Sequence, residues 1–178
     1  MIGEDAAKRF MTAPWLAEAD RQAKLALLDA LVEERARPNS VLLEQGQPND
    51  HLTFLIDGTV DLERTFGNGR NERVTTLSAP AVFGTTSFFQ PKPPMVTARA
   101  RTEVWMLTLY HPAYDKLRKE NPRAAEVLAL AVVRTLSERF DLIDKAFSDY
   151  IAQHPDVPGN TVSEWSRFRA RLFEEQKM

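Results

Sequence analysis

The sequence predicts an α+β protein: an antiparallel β barrel or sandwich, preceded by helices and followed by one long helix. Three observations predict it. Between Val41 and Leu109 apolar residues recur with a period of two, in short runs broken by Gly and Pro. Before residue 37 the spacing is helical. After residue 121 an apolar stripe steps by four and three alternately, the signature of a long amphipathic helix.

The 178 residues allow one domain with helical additions and a real core. Hydrophobic residues make up 43% and charged residues 27%, as in ordinary globular chains. A net charge of -2 gives no general attraction to nucleic acid or anionic membrane. Cysteine is absent, which excludes disulfides and thiol chemistry. MIGEDAAKRF lacks the apolar core of a signal peptide, and no run approaches a membrane span. The expected location is the cytoplasm, with no membrane and no nucleic acid as partner.

Residues 4 to 36 read as helical, with Asp20 as an N-cap and Leu25, Leu28 and Val32 at helical spacing, Leu27 and Leu31 beside them. Ala13-Pro14-Trp15 separates a short first helix from a second. Trp15 and Leu16 are expected to anchor the helices on the β structure rather than carry chemistry. Pro38-Asn39 ends this region. Strands follow through Val41 and Leu43, Leu52 to Ile56, and Val60 and Leu62. Asp57-Gly58 reads as a hairpin signal. Gly67-Asn68-Gly69 reads as a turn between a strand ending at Phe66 and one starting at Arg73. Val104 to Leu109 is a last strand, and Ala113 to Lys119 a short helix. Asn121 caps the long helix, with Pro122 at its first position, and the pattern runs to Gln153. His154 to Gly159 breaks it. Thr161 to Glu164 fits a capping box opening a last helix with an apolar face of Trp165, Phe168 and Leu172 and with Arg167, Arg169 and Arg171 elsewhere. That helix is expected to dock on its own domain.

The stretch Val82 to Ala100, VFGTTSFFQPKPPMVTARA, is where a ligand site would lie. Gly84 can bring its backbone close to a ligand because it has no Cβ. A short helical turn starting there would aim free amides at an anion. The alternative is a plain loop between strands. The context is LLEQGQPNDHLTFLIDGTVDLER, then LSAPAVFGTTSFF, then TARARTEVWMLTLYHPAYDKLRKENP. These residues resemble the cyclic-nucleotide-binding domain family, the sensor half of catabolite activator proteins and the regulatory module of cyclic-nucleotide-gated kinases and channels. The resemblance covers Leu42 to about Leu136 and implies a jelly-roll barrel. The pattern along the chain divides it at 1–37 (N-terminal helices), 38–110 (barrel, cassette 82–100), 111–154 (short helix and long dimerisation helix) and 155–178 (linker and short helix).

In the family the cradle is a phosphate-binding cassette, F-G-E-L-x-x-L followed by R-[ST]-A-T. From Gly84 to Thr97 the register needs no gap. The family's Glu, which holds the ribose hydroxyl, falls on Thr85, its phosphate-pairing Arg on Pro94, and the neighbouring Ser/Thr on Met95. The candidate site is therefore Gly84, Thr85, Thr86, Ser87, Pro94, Met95 and Thr97, with its charges missing. In the family the matching long helix forms a homodimer seam. Here that seam would be Ala129, Val133, Leu136, Phe140, Ile143, Phe147 and Tyr150.

Other chemistry was sought in the pattern. His51, His111 and His154 stand alone, which excludes a cupin-type metal set, and each is expected in a turn or on the surface. No nucleophile elbow and no Walker or dinucleotide loop occurs. Residues 160–178 suffice for one helix, not for a helix-turn-helix. The expectation is a non-enzymatic regulatory or scaffold protein without cofactor or metal, a homodimer acting on an unidentified protein partner. Two alternatives stay open. One is a nucleotide sensor using the hydroxyls of the cassette with Lys92 or Arg99 as cation, alone or as the sensor part of a longer transcription regulator. The other is a pocket for a more apolar ligand among Met95, Phe88 and Phe89.

Overall fold

The computed structural model describes residues 2–90, 92–153, 166, 167 and 170. The chain forms two compact units, residues 1–132 and 133–178. The break after the long helix, the capping box, the Trp165–Phe168–Leu172 face and Pro91 lie outside the described residues.

The first unit starts with helix α1 (Glu4–Met11), a 3-10 turn (Pro14–Leu16) and helix α2 (Arg21–Asp29). Asp20 caps α2 by accepting from the Ala23 amide at 2.8 Å, as its position before the periodic run predicts. The buried face of this region is Ala23, Leu27 and Leu31, whereas Leu25 and Val32 are exposed.

Helix does not continue to residue 36. Val32–Ala36 is strand β1, paired residue for residue with β8 (Val104–Tyr110), from Val32 opposite Thr108 to Ala36 opposite Val104. VEERA is locally a better helix than strand, and the tertiary ladder overrides that preference. Side chains reinforce the ladder. Glu33 Oε1 accepts from Trp105 Nε1 at 2.8 Å, and Glu34 Oε1 accepts from the Tyr110 hydroxyl at 2.9 Å.

The remaining strands are β2 (Val41–Leu43), β3 (His51–Asp57), β4 (Thr59–Thr65), β5 (Asn71–Ser78), β6 (Ala81–Phe83) and β7 (Thr97–Ala100). They form two antiparallel four-stranded sheets, ordered β1-β8-β3-β6 and β2-β7-β4-β5. This is the predicted jelly-roll type, as two facing sheets rather than a closed barrel. Leu43, Leu55, Val60, Phe83, Ala98, Ala100, Val104 and Met106 fill the space between the sheets.

Asp57-Gly58 is not a hairpin of paired strands. It is the corner where the chain leaves the first sheet at β3 and enters the second at β4. Gly58 has φ +90°, and a Cβ there would lie 2.4 Å from the Glu103 carbonyl oxygen, so the corner admits only glycine. Gly67-Asn68-Gly69 does close a hairpin, between Thr65 and Asn71.

The two central strands of the first sheet, β3 and β8, are buried on both faces. Alternate residues of β3 and β8 point away from the inter-sheet core, and Leu52, Phe54, Leu107 and Leu109 there are fully buried. Phe54 carries the N-terminal segment. Trp15 stacks on it with centroids 4.7 Å apart, and Phe10 meets both rings edge-on at 5.4 Å. Leu16 is buried beside Trp15 in sequence, so this pair does anchor the helices on the sheet.

Helix α4 (His111–Glu120) leads to α5 (Pro122–Gln153). Asn121 Oδ1 accepts from the Ala124 amide at 3.0 Å, which makes it the expected N-cap. Phe54→Ala is expected to lower unfolding free energy by about 3–5 kcal/mol in urea titration. A loss below about 1 kcal/mol would mean that the aromatic wedge does not fix the helices to the sheet.

Candidate functional site

The candidate cassette begins where β6 ends. Gly84 turns the chain with φ +81°, and a Cβ on it would stand 2.9 Å from the His51 carbonyl oxygen. A short helix, α3 (Thr85–Phe89), follows, as the sequence predicts. The Ser87 hydroxyl donates to the Gly84 carbonyl at 3.2 Å and accepts from Asn49 Nδ2 at 2.9 Å. The same Asn49 amide donates to the His51 carbonyl at 2.8 Å. The near end of the cassette is thus tied to the start of β3.

The far end is tied to the same turn. The Gly46 amide donates to the Pro94 carbonyl at 3.0 Å. The Gln45 amide donates to the Thr97 hydroxyl at 3.1 Å. The Gln45 side chain then exchanges two hydrogen bonds with the backbone of Thr65, at 2.7 and 2.9 Å. Sequence reasoning missed Gln45 and Asn49. Gly46, Pro48 and Asn49 mark a turn, but a turn signal does not reveal what the turn touches 38 or 52 residues later.

The seven nominated residues separate into two groups. Thr85 (3% exposed), Ser87 and Pro94 are buried, and Gly84 and Thr97 are half-buried. Thr86 and Met95 face outward, Met95 at 58% exposure. The positions that hold charge in the resembling family are therefore neutral and buried. The buried polar residues among those described are four hydroxyls, Thr53, Thr85, Ser87 and Thr108, and no charged side chain.

Of the two candidate cations, Arg99 is engaged elsewhere. Ala98 and Ala100 face the core, so Arg99 points to the other side of β7. There its Nε pairs with Glu63 at 3.3 Å and its NH1 donates to the Asn39 carbonyl at 3.1 Å. Lys92 is exposed on the bend.

The aromatics after the hydroxyls connect the cassette to α4. Phe88 is buried, with its ring 4.5 Å from His111 and 5.3 Å from Tyr114, and Phe89 meets Tyr114 at 5.5 Å. Burial pushes the Tyr114 phenol above its ordinary range. His111 opens α4 with its Nε2 buried, so it is a packing residue rather than a surface one. His51 hydrogen-bonds Asp50 and the Leu42 carbonyl. Among the described residues no group of acidic and histidine side chains could hold a metal, and no helix is long and apolar enough to cross a membrane.

Helix α5 carries two different apolar stripes. Ala124, Leu128 and Val132 are buried in the first unit. The predicted seam lies roughly a quarter turn away, counting about 100° per residue. Of its members, Val133, Phe140, Ile143, Phe147 and Tyr150 are 40–66% exposed, and Leu136 is half-buried.

A family model described as the cyclic nucleotide-binding domain matches residues 33–121. The "CRP-like cAMP-activated global transcriptional regulator" of Mycobacterium tuberculosis is 28% identical over 132 residues, 74% of this chain and 56% of that protein. The chain thus spans about half the length of the curated relatives it matches first. A solved cyclic nucleotide-binding domain from Methylobacillus flagellatus superposes with TM-score 0.70 at 17% identity, over 76% of this chain and 78% of that one. The N-terminal domain of a transcriptional regulator from Streptomyces coelicolor superposes with TM-score 0.64 at 28% identity, over 76% and 94%.

The Arg99 pairing generates a prediction. Arg99→Ala is expected to cost about 1–3 kcal/mol of stability, because it takes the guanidinium from the largely buried Glu63 carboxylate. Neither it nor Lys92→Ala should alter the response to cyclic AMP in calorimetry. Binding tighter than about 10 micromolar in the parent protein, lost in either variant, would identify that residue as the site's cation.

Proposed function

The chain belongs to the cyclic nucleotide-binding domain family, and from that premise we propose that it is a non-enzymatic regulatory or scaffold module, cytoplasmic, that does not hold cyclic AMP tightly and acts through protein–protein contact. One observation carries this reading. Thr85 and Pro94, where the cassette's Glu and Arg fall, are neutral and buried. An anion placed there would be desolvated without a counter-charge. A hydrogen bond to a charged group is worth roughly 1.5–3 kcal/mol net, so losing two costs roughly 3–6 kcal/mol. At about 1.4 kcal/mol per decade that is on the order of a hundred-fold to ten-thousand-fold in affinity.

The second reading is a cyclic-nucleotide sensor with other contacts, or the sensor part of a longer regulator. Its support is the 28% identity to a protein named as cAMP-activated, of which this chain matches 56%. Repairing the cassette separates the two. The triple change Thr85→Glu, Pro94→Arg and Met95→Ser is expected to raise cyclic-AMP affinity at least ten-fold from a weak starting value. Tight binding by the unmodified chain would overturn the proposal. A triple variant that gains nothing would place the block in the loop itself rather than in the two missing contacts.

The exposed stripe of α5 supports self-association as one of the protein contacts. Burying a large apolar side chain contributes roughly 1.5–3 kcal/mol. Phe140, Ile143 and Phe147, doubled by two-fold symmetry, outweigh the entropy cost of association. Ile143→Asp would desolvate two carboxylates at the axis and is expected to yield a folded monomer in light scattering. A monomeric parent protein, or a variant that stays dimeric, would remove the seam from the proposal.

A further inference from the structure

The turn between β2 and β3 holds both ends of the cassette at once. Asn49 reaches the Ser87 hydroxyl at 2.9 Å, and Gln45 and Gly46 reach Thr97 and Pro94 at 3.1 and 3.0 Å. The two gripped segments, 84–87 and 94–97, are the two halves in which the candidate ligand contacts lie. We propose that Gln45 and Asn49 are positioning residues that fix the cassette in one conformation without any ligand, so that this domain presents a constant surface instead of a ligand-driven rearrangement. The inference deepens the proposed function and rests on its reading of the cassette as one that needs no nucleotide.

The hydrogen-bond inventory makes the case. Ser87 has one hydroxyl proton, which goes to the Gly84 carbonyl, and it accepts from Asn49. The Asn49 NH2 has two protons, and its two acceptors are the His51 carbonyl and Ser87. Thr97 accepts from the Gln45 amide. Gln45 itself cannot swing away, because both polar atoms of its side chain are held by Thr65 on the neighbouring strand β4. Gly84 adds a steric stop: its lack of a Cβ lets α3 sit directly against the His51 carbonyl that Asn49 also binds. A ligand can shift a conformational equilibrium only by its differential affinity for two states. A cassette stapled at both ends to a single turn offers it one.

Hydrogen exchange on the full chain tests the assignment, with Asn49→Ala opening the near end and the isosteric Thr97→Val removing the far acceptor. Asn49→Ala is expected to speed exchange of the α3 amides, residues 85–89, at least ten-fold while β3 and β8 amides keep their rates. Thr97→Val should do the same for the Gln45 and Gly46 amides. An unchanged cassette in both variants, or a uniform rise across the sheets, would overturn the inference, the second result marking ordinary structural residues. Should Asn49→Ala fail to fold, Thr97→Val alone decides, since it keeps shape and volume. Addition of cyclic AMP to the parent protein separates the two claims. Slowed exchange at 84–97 with nucleotide would overturn the proposed function, whatever the variants show.

Discussion

Everything in the first unit depends on the central strands of the first sheet, β3 and β8, being buried on both faces. Its inner side meets the second sheet through Leu55, Val104 and Met106, and its outer side carries Leu52, Phe54, Leu107 and Leu109 under the helices. A sheet buried twice must be covered twice, so the N-terminal helices are part of the core rather than an ornament on it. The wedge of Phe10, Trp15 and Phe54 is where that cover is fastened. The same constraint explains why Val32–Ala36 abandons its helical preference. A five-residue ladder beside β8, with Glu33 on Trp105 and Glu34 on Tyr110, closes an edge that would otherwise expose the strand.

The cassette takes its position from this sheet. β6 pairs with β3, which places Gly84 against the His51 carbonyl and brings the β2–β3 turn within reach of α3. From the other side, β7 pairs with both β2 and β4, which brings Thr97 to Gln45 and Gln45 to Thr65. The site is therefore assembled from five strands, β2, β3, β4, β6 and β7. What it lacks is charge. The interior polar groups among the described residues are hydroxyls, which serve the chain's own backbone well and a phosphate poorly without a guanidinium beside them.

Local signals made much of this legible. Asp20 and Asn121 cap helices as their positions predict, and the short helix after Gly84 is where the glycine says it should be. Pairing partners were not legible. Asp57-Gly58 has hairpin chemistry, yet its two strands belong to different sheets, because nothing local distinguishes a tight turn from a sheet-to-sheet corner. The Gln45 and Asn49 contacts span 52 and 38 residues and arise only once five strands are in register. The sequence pattern likewise identified which cassette positions had lost their charge but not that those positions are the buried ones. Burial is a property of the assembled sheets.

Helix α5 shows how one element can serve two demands without compromise. The core-covering residues lie in the first third of the helix and the exposed apolar residues follow from Val133 onward. Ala124, Leu128 and Val132 are small or medium residues that let the helix sit close to the first unit, while the seam from Val133 onward carries the large side chains Phe140, Ile143 and Phe147. Small side chains suit a contact already closed by its own chain. Large exposed ones gain free energy only when something covers them. That asymmetry along a single helix, rather than exposure alone, is what supports the proposed seam in its second half.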